Sequence, residues 1–149
     1  MEPFSVLINE SPLGTTDMPP IRFEYEGHVS WYEEMDRRGG EHWVVMLTRE
    51  GQVVAVSSGE WDPRFPHRFD QYLTGVDKAW RAQSLAKCVK AKLLFLVREP
   101  HPQLEYLRTF NANANAPMLS INNRLGFKVH KQTYTYQIER EHLLAMLAA

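Results

Sequence analysis

Two stretches of this chain carry residue types whose spacing could do chemistry. The first is Thr74-Gly75-Val76-Asp77-Lys78-Ala79-Trp80-Arg81-Ala82-Gln83-Ser84-Leu85-Ala86. It reads as the join between a strand and a long helix. A helix N-terminus offers free N–H groups and about half a positive charge, enough to hold a phosphate or pyrophosphate. Small residues at Ala82, Ser84 and Ala86 let a ligand approach that backbone, and Arg81 and Lys87 add charge. Any strand–loop–helix join shares these properties, so an ordinary connection stays open as the other reading. The second stretch is Thr109-Phe110-Asn111-Ala112-Asn113-Ala114-Asn115-Ala116-Pro117-Met118, continuing to Ile121-Asn122-Asn123-Arg124-Leu125-Gly126-Phe127. By itself an Asn-rich loop is turn chemistry and a helix cap. Cys88 falls inside the helix and reads as core packing rather than a nucleophile.

The elements that must position these stretches follow from periodicity. Residues 1–21, with Ser11-Pro12-Leu13-Gly14 and Pro19-Pro20, read as an irregular lead-in. A short helix is expected from Tyr25 to Arg38, ended by Gly39-Gly40. The β-branched runs His42 to Thr48 and Gln52 to Ser58 flank Arg49-Glu50-Gly51 as a hairpin, and a third strand lies near Phe69 to Val76. From Trp80 to Arg98 the period turns helical, with Ala82, Ala86, Val89, Leu93 and Leu96 as the apolar stripe and Lys87 and Lys90 on another side. Leu104 to Phe110 reads as a strand. Asn115 caps a second helix, with Pro117 in its first turn and Met118, Ile121 and Leu125 on one face. Two last strands are expected near Phe127 to His130 and Thr133 to Ile138, then an amphipathic tail from Glu141 to Leu147. The fold class is a mixed α/β (α+β) single domain, an antiparallel meander followed by β-α-β-α-β-β. Its parts are the lead-in over 1–40, the core over 41–138 and the tail over 139–149.

Composition bounds the rest. A chain of 149 residues that is 44% hydrophobic can bury a core without staples and is too apolar for a disordered segment. No apolar run reaches the length of a bilayer span, and Glu2-Pro3 stands where a signal peptide needs basic residues. One cysteine fits a reducing cytosol, so a cytoplasmic protein is expected, with no membrane partner. A net charge of −1 with no basic block argues against nucleic acid.

Taken together, the two stretches resemble the GNAT acetyltransferases. The pattern is Thr74-Gly75-Val76, Arg81 before Leu85-Ala86 and Lys90, then Asn111, Asn115-x-Pro117-Met118-x-x-Ile121-Asn122-x-x-Leu125-Gly126-Phe127. It is most similar to bacterial members that carry two such domains in tandem, and it covers roughly Glu41 to Ile138. The resemblance implies acetyl-CoA as cosubstrate, and no metal, bound between the strands near Val76 and Phe110. Its pyrophosphate rests on Arg81, Ala82, Gln83, Ser84, Leu85, Ala86 and Lys87. Its pantetheine arm runs along Leu73, Thr74 and Val76, with Asn111, Asn115 and Asn122 beside it. The implied chemistry is direct acetyl transfer to a small-molecule amine, with a backbone N–H near Val76 for the oxyanion. The carboxylates Asp70, Glu60 and Asp62, with His67, are the candidates to accept the ammonium proton. Each is also readable as a solvated charge.

Three departures from the family pattern set a second reading beside the first. Ala82 and Ser84 stand at positions the family gives to glycine, where a Cβ is costly if the loop needs positive φ or close backbone approach and tolerable if helical φ suffices. Asn122 stands where many members place a tyrosine acid, which leaves Tyr134 or Tyr136 as substitute donors or as strand packing. The strand and helix pair that open the family fold are not readable before Gly40, so the sheet edge should be covered by a homodimer partner or a separate domain. The alternative function is therefore a non-catalytic CoA-binding, dimerisation or regulatory module.

Overall fold

The computed structural model describes residues 25–134 and 136–147. The lead-in expected over 1–21 lies outside the described residues. Helix α1 spans Tyr25–Arg37, and its chain reverses as the amides of Arg38 and Gly40 both donate to the Met35 carbonyl, at 3.0 and 2.9 Å. Strand β1 (Glu41–Arg49) and strand β2 (Gln52–Trp61) form the expected hairpin. Both central turn residues are left-handed, Glu50 at φ 50° and Gly51 at φ 79°. That is the two-residue turn whose twist suits antiparallel strands, and it is why a glycine sits there.

Strand β3 (Arg68–Val76) runs antiparallel to β2, and β4 (Tyr106–Thr109) runs parallel to β3, giving the sheet order β1-β2-β3-β4. Between β3 and β4 the chain passes through helix α2 (Leu85–Arg98), which lies across one face of the sheet over β2 and β1. Phe69, Leu93 and Val97 are fully buried at that contact, ringed by Trp43, Val45, Trp61, Leu104 and Leu107. Gly59 permits the closeness of this layer, since a Cβ there would stand 2.5 Å from the Phe69 ring. Helix α3 spans Ala116–Arg124 and helix α4 spans Arg140–Leu147. No helix among the described residues is long and apolar enough to cross a membrane.

Several expectations need correction. Helix α2 starts at Leu85 rather than Trp80, because Asp77 caps only a single 3-10 turn, Lys78–Trp80, after which Arg81 is extended. Ala82 is thus an exposed loop residue. Lys90, assigned to an outer side, is 1% exposed, and the buried stripe is Val89, Lys90, Leu93 and Val97. Cys88, expected in the core, is exposed on the first turns of α2. The two last strands are not formed: the described residues between α3 and α4 pair with no strand, and Val129 and Tyr136 are 78% and 89% exposed. Their alternation is real, but a period-two pattern makes a strand only where a sheet edge receives it.

Candidate functional site

The sheet opens into a fork. β3 and β4 pair only from Arg68–Tyr106 to Gln71–Thr109, yet β3 continues to Val76. The departure coincides with a bulge. Ser57 pairs with Thr74 while Gly59 pairs with Gln71, so Tyr72 and Leu73 together oppose Ser58. An extra residue of this kind bends a strand and re-aims its side chains. At the apex, buried Gln71 donates to Ser57 Oγ (2.9 Å), which also meets Thr74 Oγ1 at 3.0 Å, and Gln71 Oε1 has no partner. Beyond the bulge, Asp77 N–H donates to Val54 (3.0 Å). Strand alternation therefore turns the N–H and C=O of Val76 away from β2 and toward the fork. The Val76 carbonyl accepts there from Arg81 Nε at 3.3 Å.

The loop into α2 carries two left-handed residues, Ala82 at φ 63° and Ser84 at φ 61°. These are the two positions where glycine was expected, and each costs about 1 kcal/mol as a residue with a Cβ. Ser84 makes no side-chain cap, and among the described residues no acceptor meets the N–H groups of Leu85, Ala86 and Lys87. Arg81, Gln83 and Lys87 are exposed around this uncapped end. Orphan amides with the positive end of a helix dipole and two cations are groups whose chemistry suits an anion. Across the fork, Asn115 is spent on capping α3, its Oδ1 accepting from Met118 N–H at 3.2 Å. Asn111 is half-buried, and Asn122 is 4% exposed with its Oδ1 unpartnered.

On the sheet face opposite α2, the strand register lines up His42, Glu60, Asp70 and Arg108 across all four strands. Asp70 is buried between two guanidiniums, with Arg108 Nε at 2.6 Å and Arg68 Nε at 3.0 Å. Its lone pairs are occupied. Glu60 differs: Tyr72 donates to its Oε1, and its Oε2 is buried without a partner. Burial pushes the Glu60 carboxyl above the usual range, opposed by the Tyr72 hydrogen bond. The same burial raises the Tyr72 hydroxyl. His42 Nε2 is also buried and unpartnered, and burial lowers that imidazole. Asp62 is pulled down to about 2 by the hydrogen bonds of Arg64, whose Nε stands 3.0 Å away. His67 is exposed beside Gln103 and Glu105. Tyr134 is exposed and donates to Gln132 at 3.0 Å.

The structure thus brings Leu73, Thr74, Val76 and the loop from Arg81 to Lys87 to one mouth, and sets Glu60 beside it through Tyr72. Sequence reasoning did not single out His42, Tyr72, Trp31 or Tyr32, which close around Glu60. Trp31 lies 5.5 Å from His42 and 5.8 Å from Tyr72 between ring centroids, and Tyr32 lies 4.1 Å from His42. Strand register was the missing signal.

No family profile matches the chain, and no curated protein sequence is similar to it. Solved structures are. The chain superposes on a ribosomal-protein-alanine N-acetyltransferase from Brucella melitensis with TM-score 0.65 and 22% identity, over 84% of this chain and 76% of that one. A putative acetyltransferase from Salmonella typhimurium, solved with its cofactor acetyl-CoA, matches at TM-score 0.69 and 17% identity, over 92% and 79%. A tandem GNAT protein from the clavulanic acid biosynthesis pathway matches at TM-score 0.65 and 22% identity, over 85% of this chain and 37% of its own length. This is the GNAT fold. The fork between β3 and β4 and the loop leading into α2 are parts of that fold, and at these identities the likeness is one of fold.

Proposed function

We propose that this GNAT domain is an acetyl-CoA-dependent N-acetyltransferase that passes an acetyl group directly to a small-molecule amine, in the cytoplasm, with both substrates bound at once. The observation that carries the reading is the left-handed Ala82–Ser84 turn, which delivers the uncapped first turn of α2 beside the open edge of β3. The residues fit the cosubstrate. Orphan amides of Leu85, Ala86 and Lys87, with Arg81, Gln83 and Ser84, suit a diphosphate. The edge at Leu73, Thr74 and Val76 suits an amide-bearing arm laid on as a strand, and Asn111, Asn115 and Asn122 border it. When bound, acetyl-CoA supplies the thioester carbonyl that an amine attacks.

Glu60 takes the ammonium proton. It is half-buried and lifted toward neutrality, with one oxygen unpaired and the other fixed by Tyr72. Asp70 is assigned to positioning: held by Arg68 and Arg108, it fixes β4 against β3 at the base of the fork. The outward N–H of Val76 is the donor available to a developing oxyanion. Tyr134 is retained as the phenol that gives its proton to the departing thiolate, which leaves as the thiol.

A second reading keeps the scaffold without turnover. The Cβ atoms of Ala82 and Ser84 on left-handed backbone, and an amide at Asn122 in place of a phenol, favour it. Thermal melts with acetyl-CoA test cosubstrate binding: saturation at about 100 times Kd adds roughly 2.7 kcal/mol, a rise of several degrees. Arg81→Glu is expected to remove that rise. No shift at millimolar acetyl-CoA overturns the proposal, and binding without thiol release across a panel of amines leaves the non-catalytic module.

A further inference from the structure

We infer that the sheet face opposite α2 receives the acceptor as a primary ammonium on an apolar body, its nitrogen cradled by Glu60 Oε2 and His42 Nε2 and its body laid on Trp31 and Tyr72. The inference rests on the transferase reading and names its substrate class. His42 and Glu60 stand directly opposite each other on β1 and β2, so they share a face. Each presents a buried polar atom that meets no hydrogen-bond partner among the described residues. Folding leaves such atoms unpaired only at a cost, and two of them on directly paired residues of one sheet face ask for one donor-rich guest. An ammonium carries three N–H donors and no acceptor. With the imidazole proton on Nδ1, Nε2 accepts, and the burial that lowers His42 keeps the ring neutral.

The walls are aromatic. Trp31, Tyr32 and Tyr72 lie within 6 Å of one another or of His42, and Trp31 and Tyr72 keep 39% and 42% of their surface exposed. Open ring faces beside a carboxylate favour a cation attached to apolar carbon. Asp70 is spent on Arg68 and Arg108, and Asp62 on Arg64, which leaves Glu60 as the strand carboxylate with an unpaired oxygen, while Asp36 of α1 acts on His42. Arg38 also acts on Glu60 from the end of α1, so charges of both signs border the site and the apolar ring walls carry the discrimination against a polycation.

Calorimetry on the full chain, without acetyl-CoA, tests this with three probes: 2-phenylethylammonium, spermidine and 3-phenylpropionate. The expected result is that 2-phenylethylammonium binds, spermidine binds at least about tenfold more weakly and the carboxylate gives no heat. Glu60→Gln should weaken the first by about tenfold or more, and Trp31→Ala, a surface change that spares the core, by about threefold. Both variants keep the far-UV circular dichroism and the cooperative melting transition of the wild type, which shows that they fold. No heat with 2-phenylethylammonium, tighter binding of spermidine, or wild-type affinity in Glu60→Gln each overturns the inference. Because amine binding is read alone, a missing acetyl-CoA shift in the wild-type protein counts against the transferase reading and not against this one.

Discussion

Lys90 is the residue whose burial has the plainest thermodynamic consequence. Its ammonium lies 5.1 Å from the Phe127 ring with no carboxylate paired to it among the described residues, and desolvation lowers it from 10.5 to about 8. Between pH 8 and 10.5 the unfolded chain then binds more protons than the folded one, so stability rises with pH across that window. Below pH 8 both states are charged and the full penalty, on the order of 3 kcal/mol, is present. Urea unfolding should show Lys90 adding about 2 kcal/mol between pH 7 and 9.5. Lys90→Met should abolish that rise and stabilise the protein at pH 7 by about 1–3 kcal/mol, as apolar replacements of buried charge do. A variant with the pH slope of the wild type contradicts the assignment. Lys90 was the hardest residue to read from sequence, because a lysine at a stripe position is assigned outward by type. His42 failed differently. Counting back from the Glu50-Gly51 turn pairs it with Gly59, and only the bulge at Leu47/Thr48 moves its partner to Glu60.

At the scale of elements, the loop into α2 decides whether the scaffold can serve a cosubstrate. The sequence shows a departure from glycine at Ala82 and Ser84, and the structure places both residues in the left-handed region that favours glycine. The loop therefore stores strain that glycine relieves. Ala82→Gly with Ser84→Gly is expected to raise the melting temperature by about 2–4 °C, from roughly 1 kcal/mol of relief net of chain entropy, and to bind acetyl-CoA at least as tightly. A lower melting temperature, or weaker acetyl-CoA binding, would show that the side chains hold the turn rather than burden it. The meander, α2, β4 and α3 were readable because each has a strong period or a chemical stop, such as Gly51 or Asn115. The true start of α2 was not, since an apolar residue at Ala82 continues the period through a loop. The segment after Gly126 misled for the converse reason: its alternation is local, whereas a partner edge is a property of the whole sheet.

At the scale of the whole sheet, β1 is the outer strand among the described residues, and that edge is poorly defended. Charge appears only at its ends, Glu41 and Arg49, while Val44 and Met46 on one face are 41% and 54% exposed. Among the described residues nothing pairs with its outer side. Edge strands that stay monomeric carry lysine, proline or a bulge in mid-strand. Here the bulge falls near the turn, at Leu47/Thr48, and leaves the stretch from His42 to Met46 regular. Two copies meeting across a two-fold axis at this strand would join their sheets antiparallel and bring Val44 and Met46 of each together. Sedimentation velocity at about 20 μM, within reach of a standard-size interface, should therefore show a dimer. Val44→Lys with Met46→Lys places like charges across the axis and should return the monomer, with the melting shift by acetyl-CoA intact because the fork lies two strands away. A wild-type monomer at that concentration removes the second copy as the cover for β1, and an unchanged dimer in the double variant moves the interface to another surface.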